Sequence, residues 1–156
     1  MASKATPVGD SAVEVLIVAV SETAGSALYG MVDVLTAAGN IWQTLRRQPP
    51  SDRRFHTRIV SETGAPFLCG NRIPVAPDAG IAEAGDGRVI ILPELWLGPD
   101  ESLGGRYPDL MAWIRDRYAA GASIYSACSG AVMLAETGLL DGCMATSHWG
   151  YRDLFA

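Results

Sequence analysis

Apolar residues fall along this chain in short solid runs and in helical stripes, separated by polar or glycine-rich stretches. Val13 to Val20 is β-branched and almost wholly apolar, with Glu14 the one charge, which suits a strand buried on both faces of a parallel sheet. After a loop from Ser21 to Ser26, the positions Leu28, Met31, Val32, Leu35 and Ala38 recur at helical spacing and predict one helix over Ala27 to Leu45. The polar, proline-broken stretch from Arg46 to Arg54 predicts a loop. Strands are then expected at His56 to Ser61, briefly at Ile73 to Val75, and at Arg88 to Leu92, where Pro93 stops the last. Pro108 to Ala120 reads as a helix with proline in its first turn and Gly121 closing it. A strand over Ala122 to Tyr125, a helix over Ala131 to Thr137, a turn over Gly138 to Gly142 and a short strand over Met144 to Ser147 complete the pattern. Strands alternating with helices predict an α/β fold with a mainly parallel sheet covered on both faces.

The other bulk properties narrow this picture. A length of 156 residues holds one domain with a proper core, expected over residues 13–156 behind a disordered tail at 1–12. Twelve basic against 17 acidic residues give a net charge of −5, so the chain lacks the basic face that nucleic acid needs; Arg46-Arg47 and Arg53-Arg54 read as decoration of a solvated loop. Cys69, Cys128 and Cys143 show no CxxC and no paired His/Cys spacing, so neither a metal site nor a disulfide framework is expected, and no cofactor is called for. With no signal peptide and no membrane-length apolar run, the expected location is the cytoplasm, with the thiols reduced.

Candidate chemistry concentrates at Ser126-Ala127-Cys128-Ser129-Gly130, between the predicted strand at 122–125 and the helix at 131–137. Small residues two places to either side of a nucleophilic atom type are what a strained strand-to-helix elbow tolerates. The helix that follows would aim its first amides at the sulfur, and its dipole favours thiolate over thiol. A cysteine filling core space is the alternative at this position. In a parallel sheet ligands bind at the carboxyl ends of the strands. That rim would gather the elbow, the Pro93-Glu94-Leu95-Trp96 turn and His148, with Trp96 and Trp149 available to line a crevice.

Cys128-Ser129-Gly130-Ala131, Leu134-Ala135-Glu136, Gly138-Leu139-Leu140-Asp141-Gly142 and Ala145-Thr146-Ser147-His148-Trp149 together resemble the ThiJ/PfpI superfamily, whose members share the class I glutamine-amidotransferase-like fold. The stretch Ser26 to Leu35 is similar to the branch that forms the N-terminal domain of AraC-type transcriptional regulators. The resemblance implies a flavodoxin-like three-layer sandwich. It also implies Cys128 as elbow cysteine, the Ser129 amide as an oxyanion-hole donor, and His148, 20 positions on, as the imidazole near the cysteine. His148 is alternatively a structural residue packed beside Trp149.

Three departures accompany the resemblance. Where many members carry an acid near the start of the first helix, this chain has Ala27, and where they have a Pro-Gly-Gly turn it has Pro93-Glu94-Leu95. Glu94 either replaces the missing acid from the opposite wall of the crevice or is a plain surface carboxylate. The sequence also stops 8 residues after His148, before the strand and helix that members add, so the fold is expected to lack its C-terminal elements. Two functions follow from the resemblance. One is a small-molecule-sensing, homodimerising regulator domain that reaches DNA only through a helix-turn-helix absent from this chain. The other is a cysteine-dependent enzyme acting on isonitriles, reactive aldehydes or peptides. Glu94, Ala27 and Trp96 would shape the ligand pocket in either.

Overall fold

In the computed structural model, residues 12–52, 54–98 and 101–154 are described. The tail expected at 1–12 therefore lies almost entirely outside them. Strand β1 (Val13–Val18) is the centre of a five-stranded sheet in the order β5-β2-β1-β6-β7. The others are β2 (Phe55–Ser61), β5 (Ala79–Gly80), β6 (Val89–Leu92) and β7 (Ser123–Ser126), and every neighbouring pair is parallel. A separate two-residue antiparallel hairpin joins β3 (Phe67–Leu68) to β4 (Pro74–Val75). The strand expected at Ile73 to Val75 thus belongs to this hairpin, outside the main sheet.

The alternation along β1 divides the core in two. Val15, Ile17 and Ala19 pack with Leu28, Met31 and Leu35 of helix α1 (Gly25–Ala37). Leu16, Val18 and Val20 point to the other face, with Leu110 and Ile114 of α3 (Pro108–Ala119) and Met133 of α4 (Gly130–Glu136). Because successive side chains on a strand project to opposite faces, a wholly apolar strand requires cover on both. The result is the flavodoxin-like three-layer α/β sandwich, helix on sheet on helix.

Two expected elements are corrected. The helix over Ala27 to Leu45 starts earlier, at Gly25, and is broken into α1 and a short α2 (Ile41–Leu45). Gly39 takes a left-handed φ of 72° at the break, a conformation open to glycine at little cost. The apolar spacing continues past the break, but none of the residues of α2 is buried. Met144 to Ser147 forms no strand, and all four residues are exposed. Only Met144 there is bulky and apolar, so the segment has almost nothing to bury in exchange for the entropy of ordering it. Among the described residues, no helix is long and apolar enough to cross a membrane.

Candidate active site

The elbow is built from the end of β7 and the close approach of β6. Ala127 N–H donates to Leu92 O at 2.9 Å, extending the β6 to β7 ladder by one bond. The chain then reverses through Cys128, whose φ of 52° lies in the left-handed region that side chains with a Cβ seldom occupy. Gly130 is required at its place: a Cβ there would stand 2.3 Å from Leu92 O and 2.6 Å from Pro93 O. Cys128 is thus exposed at a tight strand-to-helix turn and does not fill the core.

The amides behave differently from expectation. Helix α4 is seven residues long, and its opening N–H groups at Gly130, Ala131 and Val132 close on the carbonyls of Ala127, Cys128 and Ser129. Among the described residues, the N–H groups of Cys128 and Ser129 take no part in the turn's backbone bonds, so these two are available to a developing oxyanion. The Ser129 side chain is buried and has a structural task. Its hydroxyl donates to Leu95 O at 2.6 Å and accepts from Leu95 N–H at 2.9 Å, which clamps the loop after β6 to the elbow.

That clamp sets Glu94 beside the sulfur. Cys128 Sγ lies 4.0 Å from Glu94 Oε1, with the thiol as donor and the carboxylate as acceptor. The Glu94 backbone O accepts from Ala24 N–H at 2.8 Å, tying the same loop to the start of α1, where Ala27 is half-buried in the first turn. Trp96 is exposed and packs over Gly70, and its N–H donates to Glu22 O. His148 is exposed. Its Nδ1 accepts from Gly150 N–H at 3.2 Å, and its ring leans on Trp149 and Tyr151, with centroids 5.2 and 6.0 Å away. Tyr151 in turn donates to Leu97 O at 3.0 Å, which docks this C-terminal turn on the loop that carries Glu94. The structure therefore brings Cys128, Glu94 and the Ser129 amide together, while the contacts of His148 among the described residues are with its own neighbours.

Two further features bear on the site. Cys69 is buried in the core between α1 and the sheet, and burial pushes its thiol pKa up despite a lowering hydrogen bond with its own backbone. At the carboxyl end of β1, Glu22 ion-pairs with Arg106 and accepts from Tyr107 Oη at 2.7 Å, while Arg106 also pairs with Glu101 at 3.0 Å. Burial first, and the Glu22 hydrogen bond second, raise the Tyr107 phenol. This network holds the Ser21 to Thr23 loop under Trp96. Glu22 stands 84 and 85 positions from Arg106 and Tyr107, and no sequence signal pairs them.

Comparison with known proteins adds the following. The DJ-1/PfpI family model matches residues 14–155. Over 107 residues the chain is 32% identical to the HTH-type transcriptional regulator CdhR of Pseudomonas aeruginosa, an alignment covering 65% of this chain and 31% of that protein. Over 42 residues it is 43% identical to the isonitrile hydratase of Pseudomonas putida, covering 27% of this chain and 18% of the enzyme. The crystal structure of an AraC family transcriptional regulator from Pseudomonas putida superposes with a TM-score of 0.66 at 20% identity, over 91% of this chain and 70% of that one. The chain thus spans under a third of the length of the CdhR regulator.

Proposed function

The chain belongs to the DJ-1/PfpI family, and on that premise we propose that it is the small-molecule-sensing and dimerisation domain of an AraC-type transcriptional regulator, with Cys128 in the ligand pocket. The observation that carries this reading is the set of groups around the sulfur. One carboxylate, Glu94, reaches it; alanine stands at position 27, where an acid would be expected; and the imidazole of His148 is engaged with Gly150, Trp149 and Tyr151. A pocket that binds needs a shaped, accessible rim, whereas turnover by a cysteine–histidine pair needs the imidazole at the sulfur as well. The similarity to the CdhR regulator supports the same reading. In it, the domain works in the cytoplasm as a homodimer, and DNA is read by a helix-turn-helix in a segment outside this chain.

A cysteine-dependent enzyme is the second reading, and it has its own support. The sulfur is exposed on a strained backbone, and a stretch of the chain is similar to an isonitrile hydratase. Here the Cys128 thiolate would add to an electrophilic carbon, the Ser129 N–H would stabilise the developing negative charge, and Glu94 would hold and return the proton. Two measurements separate the readings: the rate of iodoacetamide alkylation of each cysteine against pH, and a turnover screen with methylglyoxal and an isonitrile. The sensor reading expects Cys128 to alkylate, buried Cys69 to resist, and neither compound to turn over. Turnover that disappears in Cys128→Ser would overturn it in favour of the enzyme.

A further inference from the structure

The loop that carries Glu94 to the sulfur is held from two sides. On one side the Ser129 hydroxyl bonds both the N–H and the carbonyl of Leu95. On the other, residues 22–24 lie along residues 94–96 as a splint. Trp96 N–H donates to Glu22 O at 2.6 Å, Thr23 forms an antiparallel bridge with Leu95, and Ala24 N–H donates to Glu94 O at 2.8 Å. The place of Glu94, with its Oε1 4.0 Å from Cys128 Sγ, therefore depends on where the splint lies.

Residues 21–24 belong to no helix and to no strand of the sheet, so side chains must anchor the splint. The buried Thr23 hydroxyl accepts from Val20 N–H at 2.9 Å. Both carboxylate oxygens of Glu22 are taken, one by Arg106 Nη1 and the other by Tyr107 Oη at 2.7 Å. Arg106 is itself fixed by bonds to Leu103 O at 2.8 Å, Ser102 O at 2.9 Å and Glu101 at 3.0 Å. The planar guanidinium thus joins two loops with a defined direction, which a point charge would not supply. An ion pair whose arginine is 41% exposed adds little to stability, so the contribution of Arg106 is to geometry.

We propose that Glu22, Arg106 and Tyr107 are positioning residues that act through residues 22–24 to hold the Glu94 carboxylate against Cys128. The charge felt at the sulfur is then governed from the exposed loop over residues 101–107, on the far side of the splint from the elbow. This goes beyond both functional readings and stands under either, since it concerns the surroundings of the thiol and not what the thiol meets.

The test compares alkylation of Cys128 by neutral iodoacetamide and by anionic iodoacetate in the intact chain at one pH, followed by the mass of the peptide that contains Cys128. The ratio of the two rates cancels the fraction of thiolate and reads the charge beside the sulfur. Glu94→Gln is expected to lower the iodoacetamide-to-iodoacetate ratio by about fivefold, the order expected for one charge a few ångströms away in water. Arg106→Gln is expected to lower it by at least roughly twofold, although loss of the positive charge by itself would raise it. Tyr107→Phe, which removes a single oxygen, should lower it less, and it carries the same comparison if Arg106→Gln alters the circular dichroism. Added to Glu94→Gln, neither change should have a further effect. Arg117→Gln is the control: it breaks the pair with Asp86, which precedes the amino end of β6, and should leave the ratio unchanged. No fall in Glu94→Gln, no fall in either Arg106→Gln or Tyr107→Phe, an equal fall in Arg117→Gln, or a further fall in the double variants would each overturn the proposal.

Discussion

Strands β1 and β7 both pair with β6, in parallel, in the same sheet, yet one is sealed and the other lies open. Val15 through Val18 of β1 are buried, with α1 on one face and α3 and α4 on the other. In β7, Ser123, Tyr125 and Ser126 are exposed and Ile124 is only partly buried. The register shows why. Val89 and Ile91 of β6 lie beside Ser123 and Tyr125, on the α1 side, and α1 packs over β1 and β2 instead. The turn that carries Cys128 therefore grows from the thinly covered half of the sheet. The sealed half supplies stability, and the open half supplies access to the sulfur.

Three substitutions would break or sharpen that contrast. Ile17→Ala, in the sealed strand, should cost about 4 kcal/mol in urea unfolding, because the emptied volume is walled in on both faces. A loss below about 1 kcal/mol would mean that β1 is not the anchor. Gly130→Ala should cost about 2 kcal/mol, since β6 carbonyls must shift to admit the methyl group, and it should also change the alkylation rate of Cys128. A silent Gly130→Ala would show the elbow to be loosely held and the contrast softer than drawn. Tyr125→Ser should change stability by no more than about 0.5 kcal/mol, given that the ring is 58% exposed. A cost near that of Ile17→Ala would reveal that the open face is covered in solution.

Where local chemistry decided the outcome, the sequence could be read correctly. The run Val13 to Val20 announced a two-faced strand from its own composition, whereas the steric demand for glycine at 130 comes from the Leu92 and Pro93 carbonyls, distant in sequence, and only the small residues around Cys128 hinted at it. The helix predicted through Leu45 went wrong for a different reason. Ile41, Trp42 and Leu45 keep helical spacing, but periodicity reports only that a face is apolar, not that anything lies beneath it. The strand expected at Met144 to Ser147 failed for want of a partner and of buried side chains. Glu94 was a plausible neighbour of the sulfur from its place after β6, but the Ser129 clamp on Leu95 that sets it there joins residues 34 apart in sequence. The network of Glu22, Arg106 and Tyr107 is longer in range still, and its ionic partners carry no spacing rule at all.

The left-handed backbone at Cys128 bears on how such a chain drifts over generations. Glycine or asparagine would occupy that conformation with less strain, so random change at position 128 runs downhill, away from sulfur. A lineage that no longer needs the thiol should shed it early, well before the surrounding strand and helix lose their pattern. The residue found at this one site in any descendant is therefore a record of whether its cleft is still required to hold a sulfur atom.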